Sequence, residues 1–564
     1  MKLVDQKSKG IMEECRVRAT REGLTIQGDT LEYIVTNRDL LRLSPKIMIP
    51  TLYDYWPLEV EVVGNEWTYN ARPSNPYETV INTRPAISFY NDNNADWLNV
   101  MIFYHVLFHI DFFQNNVFFK NTWNGDFCGE ALADKRLIER TRNELGPERR
   151  WVDYVIEFAR GIDNLVGYYP ELEGESVIQA QSILGNFSGK FEFYFGEFLR
   201  EHIDRGFIQI KFYYDEIDRF NVLKSNHGEK RGDEIFFNDS EFKAKFPEFN
   251  DVFEKNQRKK NPKTKDVFEY LLEHSEFMNR DKNRWMKDII GVVRRTSLYF
   301  QPQIRTKIIN EGWASLWHER LYISDPRIKS HEVDFADVNA GVIAMKRLSI
   351  NPYVVGKCLL EFIEEMAEKG RFSREYQMLM SLEARKNFDR RPEEGAGRKA
   401  LFEARTNLND YMLVNLLSDR DFQDFVDRYK LFVVGQRFNP DKFTIEYYVK
   451  SKNGKDYRRM INDELYHPPN IEIRDEEGAL YLNHVFEGRT LYTRYVPPVL
   501  KGIAFLFGGT VKLETTEFEI NDTDSKILAI DSNYEPKYKK LRVVYTCKDQ
   551  SMGREVISSD EEGS

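Results

Sequence analysis

The chain has 564 residues, 41% hydrophobic and 30% charged, which supports a large buried core and a globular protein of roughly two to four domains. Its formal charge of −10 excludes a general nucleic-acid binder, which needs a positive field to exchange for counterions. No apolar run reaches the length of a membrane span, the start "MKLVDQKSKGIMEEC" is not a secretory signal, and four scattered cysteines without a CxxC pair fit a reducing cytoplasm.

Residues 1–90 are mixed, with Pro- and Tyr-rich stretches such as "MIPTLYDYWP" and "YNARPSNPYETVINTRP". From about residue 95 to 390 apolar residues recur at three- and four-residue steps, as in "WVDYVIEFARGIDNLV" and "DVFEYLLEHSEFM", which predicts helices. The aromatic stretch "KFEFYFGEFLREH" reads as core, and the basic "KNQRKKNPKTKD" (residues 255–266), which lacks interleaved aromatics, reads as a solvated loop. "VVRRTSLYFQPQIRTKIINEGWASLWHERLY" predicts two helices broken at Pro302.

Charge, Pro and Gly cluster at "FDRRPEEGAGRKA", as in a linker. One helical pattern follows, "TNLNDYMLVNLLSDRDFQDFVDRYKLF". The period then changes to two in "FTIEYYVK", "ALYLNHVF", "GTVKLETTEFEI" and "KLRVVYTCK", which predicts strands. The expected organisation is a mainly α region over residues 1–390, a linker over 391–405 and a small α+β domain over 406–555. The acidic tail, 556–564, is too polar to pack and is expected to be disordered.

There is no GxxxxGK[ST] loop, strand-linked GxGxxG, GxSxG elbow or HExxH, so the chain carries no ordinary nucleotide or serine-hydrolase site. It does spend two of its nine histidines, His105 and His109, in "HVLFH". Residues four apart share a helical face and can converge on one metal ion, zinc being the expectation because it takes imidazole ligands; equally, both can be core histidines bonded to carbonyls or carboxylates. "NEGWASLWH" adds Glu311 and His318 on one face but roughly 10.5 Å apart along the axis, so one is expected as a direct ligand and the other as an orienter or base. Asn310–Glu311 opposite an HxxxH helix parallels the third ligand of gluzincin peptidases. Val106, however, stands where HExxH has its base, leaving Glu311 or Asp111 to supply one. Lys307, one turn before Glu311, can neutralise an oxyanion or pair with Glu311; the ion pair is the expectation.

Together, "YETVINTRPAISFY", "HVLFHIDFFQNN", "YFQPQIRTKIINEGWASLWH", "INPYVVGKCLLEFI" and the later "LYLNHVFEGRTLYTRYVPPVLKGIAFLFGGTVKLET" resemble the stage V sporulation protein R (SpoVR) family, in family order. The resemblance implies a cytoplasmic bacterial protein linked to spore cortex formation or to a stationary-phase and starvation response. It also implies a serine protein kinase of the PrkA type and a von Willebrand A-like protein as partners. Carried over by position, the candidate residues are His105, His109, Asp111, Asn115, Asn116, Gln303, Lys307, Asn310, Glu311 and His318. Leu107 and Phe108 depart from the commoner family motif, and Asn339 and Ala340 stand where a Ser-His pair is usual; His331 is a substitute for that histidine or a loop residue.

Two functions follow. One is a metal-dependent hydrolase of an amide or related bond, with metal ligands drawn from His105, His109, Glu311 and His318, Glu311 or Asp111 as catalytic groups, and Gln303, Lys307, Asn310, Asn115 and Asn116 around the substrate. The other is a non-enzymatic scaffold in which the polar cluster is structural and the C-terminal α+β domain docks the kinase.

Overall fold

The computed structural model describes residues 2–36, 39–40, 78–120, 127–167, 189–199, 210–253, 266–345, 349–521 and 538–561, with isolated positions between them and without 228, 380, 392, 440–441 and 477. The Pro- and Tyr-rich stretch before residue 78 and nearly all of the basic stretch 255–266 lie outside the described residues.

At the N-terminus, Asp5 caps the helix Gln6–Arg21 by accepting from Ser8 N at 2.7 Å. A four-stranded sheet packs beside it, in the order β1 (Lys2–Leu3), β2 (Thr30–Val35), β4 (Ala86–Asn91), β3 (Glu78–Ile81), with β2 and β4 parallel. β3 is an edge strand, and its first residue, Glu78, pairs with Tyr90 and faces the next helix.

That helix, Asp96–Asn115, is the histidine helix. Every residue from Val100 to Phe113 is buried, so the helix is covered on all sides and runs through the middle of the first core. The helix Lys307–Ile323, the glutamate helix, crosses it, and the helix Pro352–Glu368 packs on the glutamate helix. Gly312 and Gly356 permit that second contact. A Cβ on Gly312 would lie 2.3 Å from the Gly356 carbonyl carbon, and one on Gly356 would lie 2.0 Å from Ile308 O.

The predicted break at Pro302 falls one turn later. The helix Trp285–Arg305 runs through Pro302, and the chain turns at Thr306, whose hydroxyl donates to Pro302 O at 2.7 Å. A proline removes only the one donor aimed at the preceding turn, and near a C-terminus that loss does not end the helix. The glutamate helix starts at once because the Asp410 carboxylate accepts from Ile308 N and Ile309 N, both at 2.9 Å.

The chain is mainly helical with a small α+β region at its C-terminus. A five-stranded sheet, in the order β11 (Ser551–Glu561), β10 (Tyr538–Lys548), β9 (Val511–Ile520), β8 (Ala479–Val485), β7 (Asn470–Glu476), carries the helix Val496–Phe507. β5 (Val433–Asn439) and β6 (Thr444–Ser451) form a separate hairpin, and all four strands expected from alternation are present.

The expected linker, 391–405, is instead mostly the helix Ala396–Asn407, which packs so tightly that a Cβ on Gly397 would meet Glu364 O at 2.6 Å. Its apolar residues Ala400, Leu401 and Ala404 join a core that extends from Met12 to Leu465. A second core joins Ile138–Val166 and Val267–Val293 to the sheet and helix of residues 480–547. The C-terminal sheet is therefore covered by helices from the middle of the chain, because a sheet with one apolar face has to bury it.

The pattern expected as one helix after the linker is two, Asp410–Asn415 and Asp419–Arg428, separated where Ser418 caps the second. The acidic end, expected to be free, pairs through Glu561. In the register, Lys539 stands opposite Glu561 and Lys540 opposite Asp560.

Candidate metal centre

His105 and His109 lie one turn apart on the histidine helix and point at the crossing with the glutamate helix. Their rings meet edge to face, with centroids 4.5 Å apart and Nε2 atoms 3.0 Å apart. Each outer nitrogen is held: His109 Nδ1 lies 2.9 Å from Asn310 Oδ1, and His105 Nδ1 lies 2.9 Å from His318 Nδ1. An amide oxygen only accepts, so Nδ1 of His109 carries its proton and Nε2 keeps its lone pair.

Glu311 completes the cluster. Its Oε2 is 3.6 Å from His109 Nε2 and 3.9 Å from His105 Nε2, and this enclosed oxygen has no hydrogen-bond partner. Ligand atoms of His105, His109 and Glu311 all lie within 4.8 Å of one another. Four ligands about 2.0–2.2 Å from a tetrahedral ion stand roughly 3.3 Å from each other, so only small adjustments separate this arrangement from a coordination shell. Two neutral imidazoles and a carboxylate are also the donor set that zinc-like divalent ions prefer.

Two further groups border the cluster. Glu78 Oε1, from the sheet edge, is 3.9 Å from His105 Nε2. Tyr353, on the first turn of Pro352–Glu368, stacks on His105 with ring centroids 6.2 Å apart, and its hydroxyl feels the charge of Glu311.

Burial governs the charges here. It holds His105 well below the ordinary imidazole range, helped by His109 and His318, and takes His318 down to about 4. Burial, with the charge of Glu311, raises the Glu78 carboxyl to about 8. The charge of Glu311 and then burial raise the Tyr353 hydroxyl far above its usual range. At neutral pH the metal-free cluster thus holds uncharged His105 and His318 and a protonated Glu78.

The remaining candidates fall into two groups. His318 sits behind His105. Its Nδ1 is turned to the ring nitrogen that faces away from the cluster, so it orients a ligand and does not share the ion with it. Asn310 orients His109 in the same way.

Asp111 lies away from the cluster, in a buried clasp. It accepts from Thr25 N at 2.8 Å, Trp313 Nε1 at 3.1 Å and Arg405 Nη1 at 3.2 Å, and burial raises its carboxyl to about 6. With Asn115 Nδ2 at 3.3 Å as a fourth donor the carboxylate is fully engaged and unavailable for water, so the catalytic assignment to Asp111 does not survive the geometry.

Asn115 Nδ2 donates to Asp111 O and Thr25 O, Asn116 Nδ2 to Arg405 O and Leu408 O, and Gln303 Nε2 to Tyr299 O. These three are structural contacts outside the cluster. Lys307 is exposed, and among the described residues no ion pair joins it to Glu311; its charge acts on the capping Asp410. Val106, Leu107 and Phe108 are core residues, and Phe108 stacks on Trp317.

Asn339, the departure from the family pattern, enters the network: its Oδ1 is 3.4 Å from His318 Nε2, and its Nδ2 donates to Glu319 Oε2 at 2.8 Å. Ala340 is exposed, and His331 pairs with Asp334 at the start of a helix, apart from the cluster. Glu78, Tyr353 and Asn339 were not among the sequence-derived site residues. Each comes from a different element, and no spacing in the sequence ties them to the histidines.

A family model described as "SpoVR like protein" matches residues 6–468. A relative from Escherichia coli (strain K12), described as an uncharacterized protein YcgB, is 21% identical over 355 residues. That similarity covers 59% of this chain and 59% of the relative, so the chain spans less than two thirds of the relative's length in the match. No solved structure matches.

Proposed function

The chain belongs to the SpoVR family, and from that premise we propose that its histidine and glutamate helices hold one divalent metal ion, zinc by donor preference, that serves hydrolysis of an amide or related bond. The observation that carries this reading is the convergence of two imidazole Nε2 atoms and an enclosed Glu311 oxygen that has no hydrogen bond. A buried polar atom without a partner costs about 1–3 kcal/mol, and a cation at this point would remove that cost.

His105, His109 and Glu311 are the ligands, and a bound ion would supply Lewis-acid polarisation of a carbonyl and of an attacking water. Asn310 and His318 hold the two rings with Nε2 facing inward. Glu78 takes the part that Val106 leaves vacant. It reaches the cluster from a strand, 3.9 Å from His105 Nε2, and in its carboxylate form would accept the proton of the water and pass it to the leaving amine. The Tyr353 hydroxyl, beside Glu311, is placed to donate to a developing oxyanion. The cytoplasmic setting and the connection with spore cortex or starvation rest on family resemblance alone.

Glu311→Gln tests the reading because it preserves size and removes charge. Metal content should fall to near zero and in-cell function should be lost, with a melting temperature close to that of the metal-free parent. Full function with metal retained would remove Glu311 from the site and end the proposal.

A protein-binding role beside the chemistry is favoured by one observation. The hairpin β5–β6 exposes Phe443, Ile445, Tyr447 and Val449 in strict alternation, at 86, 55, 54 and 48%. An isolated two-stranded hairpin is marginal in water, and such a stripe is an interaction signal. Phe443→Ser with Tyr447→Ser should abolish capture of a PrkA-type kinase and leave metal content unchanged; capture at the parental level would refute a docking role for this stripe.

A further inference from the structure

His105 and His318 face each other through like atoms, Nδ1 to Nδ1 at 2.9 Å, so one proton must lie between them and only one ring can own it. Ownership decides whether His105 offers the metal a lone pair or an N–H at its other nitrogen. The answer is fixed three residues further out. Lys357 Nζ donates to Glu319 Oε2 at 2.6 Å, and this buried lysine keeps the carboxylate charged and acceptor-only. The carboxylate therefore takes the Asn339 amide N–H at 2.8 Å, which turns Asn339 Oδ1 toward His318. An amide oxygen can only accept, so the neutral His318 ring carries its proton on Nε2 and presents a bare Nδ1. His105 must then donate its Nδ1–H, and its bare Nε2 is left 3.0 Å from the Nε2 that Asn310 leaves bare on His109, so that two lone pairs and the Glu311 carboxylate meet with no proton among them, an opposition that a cation relieves.

We infer that Lys357, Glu319 and Asn339 are positioning residues which, through His318, set the tautomer of His105 and so make the cluster a receptor for a cation. The inference rests on the metal-centre reading for its purpose, but the hydrogen-bond direction it states exists without any metal. It gives a use to Asn339, which departs from the commoner family pattern: a side chain with an acceptor and a donor on one carbon transmits direction between an imidazole and a carboxylate. It also gives a use to the Lys357–Glu319 pair, whose lysine is buried between the helices. The close crossing at Gly312 and Gly356 is what brings Lys357 into reach, since Gly356 and Lys357 sit on the helix that also delivers Tyr353.

The test is the tautomeric state of the histidines in the metal-free full-length chain, labelled with ¹⁵N-histidine and read from two-bond ¹H–¹⁵N correlations, with single substitutions used for assignment. His105 is expected as the Nδ1–H form and His318 as the Nε2–H form. Asn339→Leu should mix or reverse these forms and weaken Zn²⁺ binding by roughly 10–100-fold, the usual cost of losing such an outer partner. Asn339→His, which can accept from His318 and donate to Glu319, should restore both readouts. A parental His105 found as Nε2–H would overturn the inference, as would Asn339→Leu with unchanged tautomers and affinity. If the leucine variant fails to fold, the parental tautomers and the histidine variant decide. A chain with the expected tautomers that takes up no Zn²⁺ sinks the metal reading and leaves the relay standing; bound Zn²⁺ with the opposite tautomer does the reverse.

Discussion

Asp111 is buried completely and shares its two oxygens among Thr25 N, Trp313 Nε1 and Arg405. Arg405 is itself only 6% exposed. Asp111→Asn keeps the shape of the clasp but strands a guanidinium in the core and turns an amide N–H₂ toward one of the donors. Losing one partner of a buried ion pair typically costs about 3–5 kcal/mol, most of it from the charge left behind. Arg405→Met alone should cost a similar amount, because Asp111 is then the stranded charge. The double variant leaves no net charge, so it should be less destabilised than the sum of the singles by at least about 2 kcal/mol.

Urea unfolding followed by tryptophan fluorescence measures all three, since Trp313 is fully buried and bonded to Asp111. Zinc bound per folded chain should not change in any variant. Additive single effects would refute the clasp. An unshifted unfolding midpoint in Asp111→Asn together with lost zinc would return Asp111 to the site.

Three further outcomes follow from the geometry. Gly312→Ala would bring a Cβ to 2.3 Å from the Gly356 backbone, against ordinary contact at 3.4 Å or more, so the helices must part by about 1 Å at a cost of about 1–3 kcal/mol; a neutral effect on thermal unfolding would contradict the crossing. Asp410→Ala should cost about 1–2 kcal/mol by uncapping the glutamate helix and should weaken metal binding through Asn310 and Glu311; unchanged stability would mean the cap is idle. The metal-free chain binds the Glu78 proton up to about pH 8, whereas the unfolded chain releases it near 4.5, so this group's contribution to stability is present below 4.5 and is lost as pH rises through 8. A cation must expel that proton, so Zn²⁺ affinity should climb between pH 6 and 8 with about one proton released per ion, measured calorimetrically in buffers of different ionisation enthalpy. Glu78→Gln should remove that proton release, and an unaltered release would exclude Glu78 as its source.

The sequence was most legible where one element carries its own signal. The period of the apolar residues gave the helices between 95 and 390 and the C-terminal strands, and the four-residue step in "HVLFH" put two imidazoles on one face before any fold was known. What was not legible lies between elements. A helix like Ala396–Asn407 opens with charge and glycine and reads as a linker, because its burial is decided by the Gly397 approach to another helix. Glu78 is an ordinary strand-end glutamate until the sheet edge meets the histidine helix, and Asn339 acquires a role only through Glu319 and Lys357. Asp111, two residues from His109, read as a catalytic candidate by proximity along the chain, yet two residues turn a helix by about half a revolution and put it on the opposite side.

The most direct test of the central claim is X-ray absorption at the metal edge of protein purified without chelator or immobilised metal. The account predicts one divalent ion per chain, with two imidazole nitrogens at about 2.0–2.1 Å and carboxylate oxygen at about 2.0–2.2 Å. A spectrum with a third imidazole in the shell would promote His318 to a ligand and contradict the relay, and protein that holds no metal even after incubation with Zn²⁺ would contradict the metal centre itself.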